Sequence, residues 1–252
     1  MELHFRDPGL DYSLNIIMDF QQSDLSDWWK ESLFHFYPQI DRKQFNQIPF
    51  DDQLSYLRQE LLPAYIAAKS DIHTKLDLYA SHWQKYKPQI EDAFSEAFQL
   101  NSNELFNDIT VNLSMNPICP RYLDTHSFDI FYLNSERGAL GMSLHELIHF
   151  FWFHVWHQLF KDNFSEYESP SLKWIFSEMA VDPIMRDERL STINPYFEDG
   201  CVYEYFYKMK INEKAILDIL YELYQKEGIQ NFMKKGFLFC QNYETEIRRQ
   251  MY

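Results

Sequence analysis

Thiols are few in this sequence. Cys119, Cys201 and Cys240 stand far apart, and no two of them form a CxxC pair. An odd, dispersed set supplies neither a disulfide framework nor a thiolate metal site, and it fits a reducing compartment. Positive charge is also scarce: 23 lysines and arginines face 38 acids, for a formal net charge of -15. Such a field repels phosphate backbones and anionic lipid surfaces, so neither nucleic acid nor a membrane is expected as a partner. The short basic clusters at residues 208–214 and 248–249 are flanked by acids and read as solvated helix faces. No apolar run approaches the roughly 18 residues that cross a bilayer. Residues 1–7 lack the basic segment and apolar stretch of an export signal. A soluble, cytoplasmic protein is the expectation.

Glycine is rare too, at six residues, whereas apolar residues make up 46% of the 252 and aromatics 18%. That composition buries a sizeable core and is unlike that of a disordered chain. The spacing predicts helices over most of residues 12–107, with Ile72, Leu76, Tyr79, Trp83 and Tyr86 on one face. Pro63 and Pro88 are expected where helices begin or end. His35, His73 and His82 fall among aromatics on these helices and read as core or surface residues. Alternating and β-branched residues at 109–113 and 128–133, around a turn at 117–120, predict a small sheet of two to four strands. From Gly138 the pattern is helical to Phe160, again from Trp174 to Asp182, and again toward the C-terminus, where residues 215–224 are amphipathic. The expected fold is α+β and predominantly helical. A helical N-terminal region (1–105) precedes a region (106–252) holding the sheet and the chemistry, together in one compact unit.

The chemistry lies in His145-Glu146-Leu147-Ile148-His149. Residues at i and i+4 of a helix stand one above the other, so both imidazoles reach one ion. Glu146, turned roughly 100° from His145, sits beside that ion and can hold a water in the open coordination position. A catalytic zinc takes three protein ligands and leaves the fourth place to water. The HExxHxxGxxH pattern fails, because Trp152 stands in place of the glycine and Val155 in place of the last histidine. His154 and His157 point away from the His145/His149 face and read as structural. Glu178 is the expected third ligand: it is the one acid in the middle of the apolar helix 174–182, where a buried carboxylate needs a partner such as a metal. Glu166, Asp187, Glu188 and Glu168 lie in polar stretches that look exposed.

This pair of helices, HExxH followed by a glutamate in a tryptophan-containing second helix, resembles the gluzincin metallopeptidases, the class that contains the thermolysin-like and aminopeptidase-like families. The resemblance covers about residues 105–182. It implies a zincin-like core: a small sheet whose edge strand aligns substrate, an active-site helix, and a second helix bringing the third ligand. It also implies that Asp182, four residues after Glu178, supports a zinc histidine through its other ring nitrogen. Pro183 departs from the pattern, since a proline disfavours helical geometry at the residue before it. No histidine follows His157, so the oxyanion-stabilising histidine of thermolysin-like enzymes has no counterpart here. A tyrosine serves in the aminopeptidase-like families, and among Tyr196, Tyr203, Tyr205 and Tyr207 the expectation falls on Tyr203, in a loop after Gly200. The glycine-rich signature that binds a substrate amino terminus is absent.

The function expected from these residues is hydrolysis of a peptide or small amide by a water that zinc activates and Glu146 deprotonates. Residues 128–133 are the candidate substrate-aligning edge strand, with an ordinary central strand as the other reading. Arg121 and Arg137 flank that strand and can meet a substrate carboxylate or remain solvated. Two other function classes remain open. One is a non-catalytic interaction or regulatory protein on a zincin fold, against which the intact Glu146 argues; the other is a metal-dependent hydrolase of a non-peptide amide.

Overall fold

The computed structural model describes residues 1–22, 27–198 and 200–251; residues 23–26, within the stretch expected to be helical, lie outside the described residues. In chain order the elements are β1 (Leu3–Arg6), α1 (Leu10–Gln22), α2 (Asp27–Phe36), α3 (Arg42–Gln47), α4 (Phe50–Phe98), β2 (Ile109–Ser114), β3 (Arg121–Tyr122), β4 (Ser127–Phe131), α5 (Glu136–Phe160), α6 (Leu172–Met185), α7 (Glu188–Ser191), α8 (Glu204–Lys208), β5 (Lys210–Ile211), β6 (Lys214–Ala215), α9 (Ile216–Glu227), α10 (Ile229–Asn242) and α11 (Glu244–Gln250). Among the described residues helices dominate, with one four-stranded sheet and one two-stranded ladder, so the class is α+β. Among the described residues no helix is long and apolar enough to cross a membrane. The chain divides into two compact units that are not consecutive in sequence: Glu2–Lys85 with Phe106–Ala139, and Met1 with Tyr86–Leu105 and Leu140–Tyr252.

The first unit holds the sheet, in the order β1-β2-β4-β3. β1 runs parallel to β2, with Leu3 opposite Ile109, and β2 runs parallel to β4, with Val111 opposite Phe128. β3 pairs antiparallel with β4. All five residues of β4 are buried, and β2 and β3 flank it. The reading of 128–133 as an edge strand is therefore corrected to an interior one. β1 was not anticipated, because four residues carry too little alternation to stand out. Arg121 is half-buried on β3 and Arg137 is exposed. Asn112 and Asp129 are register partners on the central strands. Asp129 Oδ1 accepts hydrogen bonds from Asn112 Nδ2 (3.0 Å) and the Tyr12 hydroxyl (2.7 Å), and Arg6 Nε donates to Asn112 Oδ1 (2.7 Å). Burial pushes the Asp129 carboxyl up to about 6, against the smaller pull of these donors.

Pro63 and Pro88 do not end helices: both lie inside α4, which is 49 residues long. A proline removes one backbone donor. The buried stripe of Leu57, Leu61, Ile72, Tyr79, Trp83, Ile90 and Phe94 along the same helix offsets that loss.

In the second unit α5 and α6 are the central elements. Ser171 caps α6 by accepting from Trp174 N (3.1 Å), and α6 continues through Pro183 to Met185, beyond the expected end at Asp182. The proline sits in the last turn, where only one intrahelical bond is lost, and Arg186 N closes the helix on Asp182 O (3.1 Å). Twelve consecutive residues, Trp174 to Met185, are buried. Aromatic rings hold α5 against α6. Trp152 meets Phe176 edge to face at 5.1 Å, Trp156 lies 6.2 Å from the same ring, and Phe232 of α10 touches both Trp152 and Phe176. Phe94 and Phe98, at the end of α4, pack on Phe151 of α5. Gly236 of α10 makes room for this layer, since a Cβ there would stand 2.5 Å from Phe176 Cζ.

Candidate metal centre

His145 and His149 project from one face of α5, and Glu178 comes from the middle of α6. The packing just described fixes their register: Trp152 is three residues beyond His149, and Phe176 two before Glu178. The three functional groups converge. His145 Nε2 lies 3.1 Å from His149 Nε2, Glu178 Oε2 lies 3.4 Å from His145 Nε2, and Glu178 Oε1 lies 3.4 Å from His149 Nε2. No other group of three or more histidine, cysteine or acidic ligand atoms gathers this way among the described residues. His149, Glu178 and Glu146 are 0%, 2% and 3% exposed. Of the two histidines and Glu178, His145 is the one that reaches solvent, with 16% of its side chain exposed.

These distances fit a zinc-type site. Bonds of about 2.0–2.1 Å in a tetrahedron place neighbouring ligand atoms about 3.3–3.4 Å apart; the two imidazole nitrogens meet that spacing at 3.1 Å, each faces a different Glu178 oxygen at 3.4 Å, and one ligand atom from each residue lies within 4.8 Å of the others. The donor chemistry agrees. His145 Nδ1 lies 2.9 Å from the Cys201 carbonyl, and a carbonyl oxygen only accepts. Nδ1 therefore carries the proton, and in the neutral ring Nε2 offers a lone pair to the centre of the triangle. Burial alone would depress the basicity of His145, but the bond to Glu178 and the charges of Glu146 and Glu178 outweigh it, and its pKa is raised.

The other expected roles fare differently. Asp182 is buried on α6, but its Oδ2 accepts from Arg186 Nε at 2.9 Å, and Arg186 also reaches Asp218 Oδ1 (3.1 Å) and covers the Tyr221 ring. The partner of the His145 Nδ1 proton is the Cys201 carbonyl, so for that histidine the expected support by Asp182 is corrected. The i, i+4 spacing of Asp182 and Arg186 was the readable sign of this pairing. Burial pushes the Asp182 carboxyl up to about 6, with Arg186 pulling the other way. Tyr203 immediately precedes α8, and its ring packs on Trp174 and stacks on Tyr205. The Tyr207 hydroxyl accepts from the Cys201 and Val202 amides. His154 contacts Gln158, and His157 stacks on Phe164, away from the triangle. Glu166, Glu168 and Glu188 are exposed, and Asp187 caps α7.

Gly141 stands one helical turn before His145. A Cβ there would collide with Asn194 and crowd Tyr196, so the glycine lets the 194–196 segment lie against the start of the HExxH helix. The role of a backbone carbonyl carries no residue-type signal, and Cys201 was not foreseen. No family model, curated protein or solved structure matches this chain.

Proposed function

We propose that the protein is a zinc-dependent hydrolase of the gluzincin type, acting on peptide bonds, with His145, His149 and Glu178 as metal ligands and Glu146 as the general base. The observation that carries this reading is the convergence of His145 Nε2, His149 Nε2 and the Glu178 carboxylate from two helices, one ligand atom of each within 4.8 Å of the others, with a buried glutamate next in sequence to the first histidine. A divalent ion held there supplies Lewis acidity, lowering the pKa of a water and polarising a carbonyl oxygen. The chain's own part is as follows. His145 is held in one tautomer by the Cys201 carbonyl, and Glu178 faces both imidazoles with separate oxygens. The Glu146 carboxylate accepts a proton from the attacking water and returns it to the leaving amine nitrogen. The nearly closed surroundings exclude bulk water, which strengthens each of these electrostatic contacts. The zincin-like core belongs to the same proposal, supported by a sheet that precedes the HExxH helix and a second helix that delivers the third ligand.

One observation favours a second reading of the substrate. Among the ligands only His145 meets solvent, an opening that suits a small amide better than a long polypeptide. Metal analysis of the purified chain, with digestion of a peptide library and a panel of short acylated amides, tests both. Zinc with peptide cleavage supports the main reading, and zinc with cleavage of the small amides alone supports the second. Protein purified without chelators and found to hold and bind no metal refutes both.

A further inference from the structure

We propose that Tyr207 is a positioning residue for the metal centre: its hydroxyl holds the backbone of Cys201 and Val202 so that the Cys201 carbonyl faces His145 Nδ1. This inference rests on the metal-binding reading above. The carbonyl that fixes His145 comes from a stretch outside any helix or strand, between α7 and α8, and connecting segments of this kind are ordinarily the more mobile parts of a fold. Its near end is anchored by Asn194 Oδ1, which accepts from Tyr196 N (2.9 Å), and by a Gly200 N to Tyr196 O bond (2.8 Å). At the far end, where the carbonyl sits, the Tyr207 side chain is the anchor seen among the described residues. The Tyr207 hydroxyl oxygen accepts from Cys201 N (3.1 Å) and Val202 N (3.4 Å) and lies 3.3 Å from Cys201 Sγ. A phenolic oxygen has two lone pairs and one proton. Two amides and one thiol sulfur match that inventory.

The chain of contacts is therefore Tyr207 hydroxyl, Cys201 amide, Cys201 carbonyl, His145 Nδ1, with Nε2 of the same ring facing His149 and Glu178. Groups that bind the outer nitrogen of a metal-ligating histidine set its tautomer and ring orientation, and losing them typically costs 10- to 100-fold in metal affinity. Tyr207 acts one bond further out. Removing its hydroxyl frees the amides of residues 201 and 202, and the carbonyl loses its aim.

The test uses the full chain, stripped of metal and labelled with 15N-histidine, as wild type, Tyr207→Phe and Tyr205→Phe. The expected result is a single Nδ1–H tautomer for His145 in the wild type and in Tyr205→Phe, mixed tautomers in Tyr207→Phe, and Co(II) binding weakened roughly tenfold in Tyr207→Phe alone. A Tyr207→Phe protein that keeps one tautomer, or that binds Co(II) within about twofold of wild type, overturns the proposal. If the wild type binds no Co(II), the proposed function falls and the tautomer comparison alone decides the positioning role. Should Tyr207→Phe fail to fold, amide hydrogen exchange in the wild type takes its place: protection at Cys201 and Val202 equal to that of α8 supports the anchor, and unprotected exchange refutes it.

Discussion

Glu178 faces the two histidines with separate oxygens, Oε2 toward His145 Nε2 and Oε1 toward His149 Nε2, each at 3.4 Å. In the proposed site its carboxylate is the third ligand and brings the negative charge that a divalent ion needs. Glu178→Gln keeps the shape and removes the charge. Zinc affinity, measured by competition with a chromophoric chelator, is expected to fall by at least about a hundredfold, beyond the loss typical of supporting residues. Unchanged affinity would remove Glu178 from the ligand set.

Glu146 has a different signature, because it is assigned to proton transfer and not to ligation. Glu146→Gln is expected to retain zinc at wild-type stoichiometry while the hydrolysis rate falls by about 10²- to 10⁴-fold, the range for loss of a general base. Zinc content by atomic absorption and turnover of a cleaved substrate are the two readouts. A variant that loses both together would make Glu146 a structural part of the site.

Asp129 predicts a pH dependence that is separate from the metal centre. Its folded-state carboxyl titrates at about 6, above the ordinary 3.8, because it is buried. The folded protein thus holds this proton more tightly than the unfolded chain. The resulting stabilisation is fully present below pH 3.8 and is lost as pH rises through 6. A rise of about two pKa units corresponds to about 3 kcal/mol at most. Urea titrations at pH 4.5 and 7.5 are expected to show a larger stability drop across that interval in the wild type than in Asp129→Asn. Equal drops in the two proteins would show that Asp129 does not carry it.

Gly236→Ala probes the aromatic layer. The added Cβ would stand 2.5 Å from Phe176 Cζ, and this ring cannot swing away because Trp152, Trp156 and Phe232 surround it. A loss of about 1–3 kcal/mol is expected, the usual cost of overpacking a core, measured by chemical denaturation. A neutral result would mean that α10 shifts freely against α6.

The convergence of His145, His149 and Glu178 was foreseeable because two local rules suffice for it: i, i+4 spacing on an apolar helix, and a lone acid inside another apolar helix. What surrounds them was not. Asp182 was matched to a histidine by resemblance, and the i, i+4 spacing to Arg186 was the sign of the partner that its Oδ2 takes. Pro63, Pro88 and Pro183 read as helix ends, yet each lies within a helix whose buried face outweighs one missing donor. β1 is four residues long and gains its pairing only from β2, more than a hundred positions away. The support of His145 by a carbonyl depends on backbone geometry, which no residue type encodes.

The aromatic layer between α5 and α6 also bears on how the proposed ion and the fold depend on one another. Where a metal gathers its own ligands, its binding energy is folding energy, and a chelator unfolds the protein. Here Trp152, Trp156, Phe176 and Phe232 pack the two helices that carry the proposed ligands through ring contacts that involve no ion. For the metal site proposed above, such packing makes the positions of the two helices independent of the ion. Chelation should silence the protein while leaving its helices and most of its thermal stability intact.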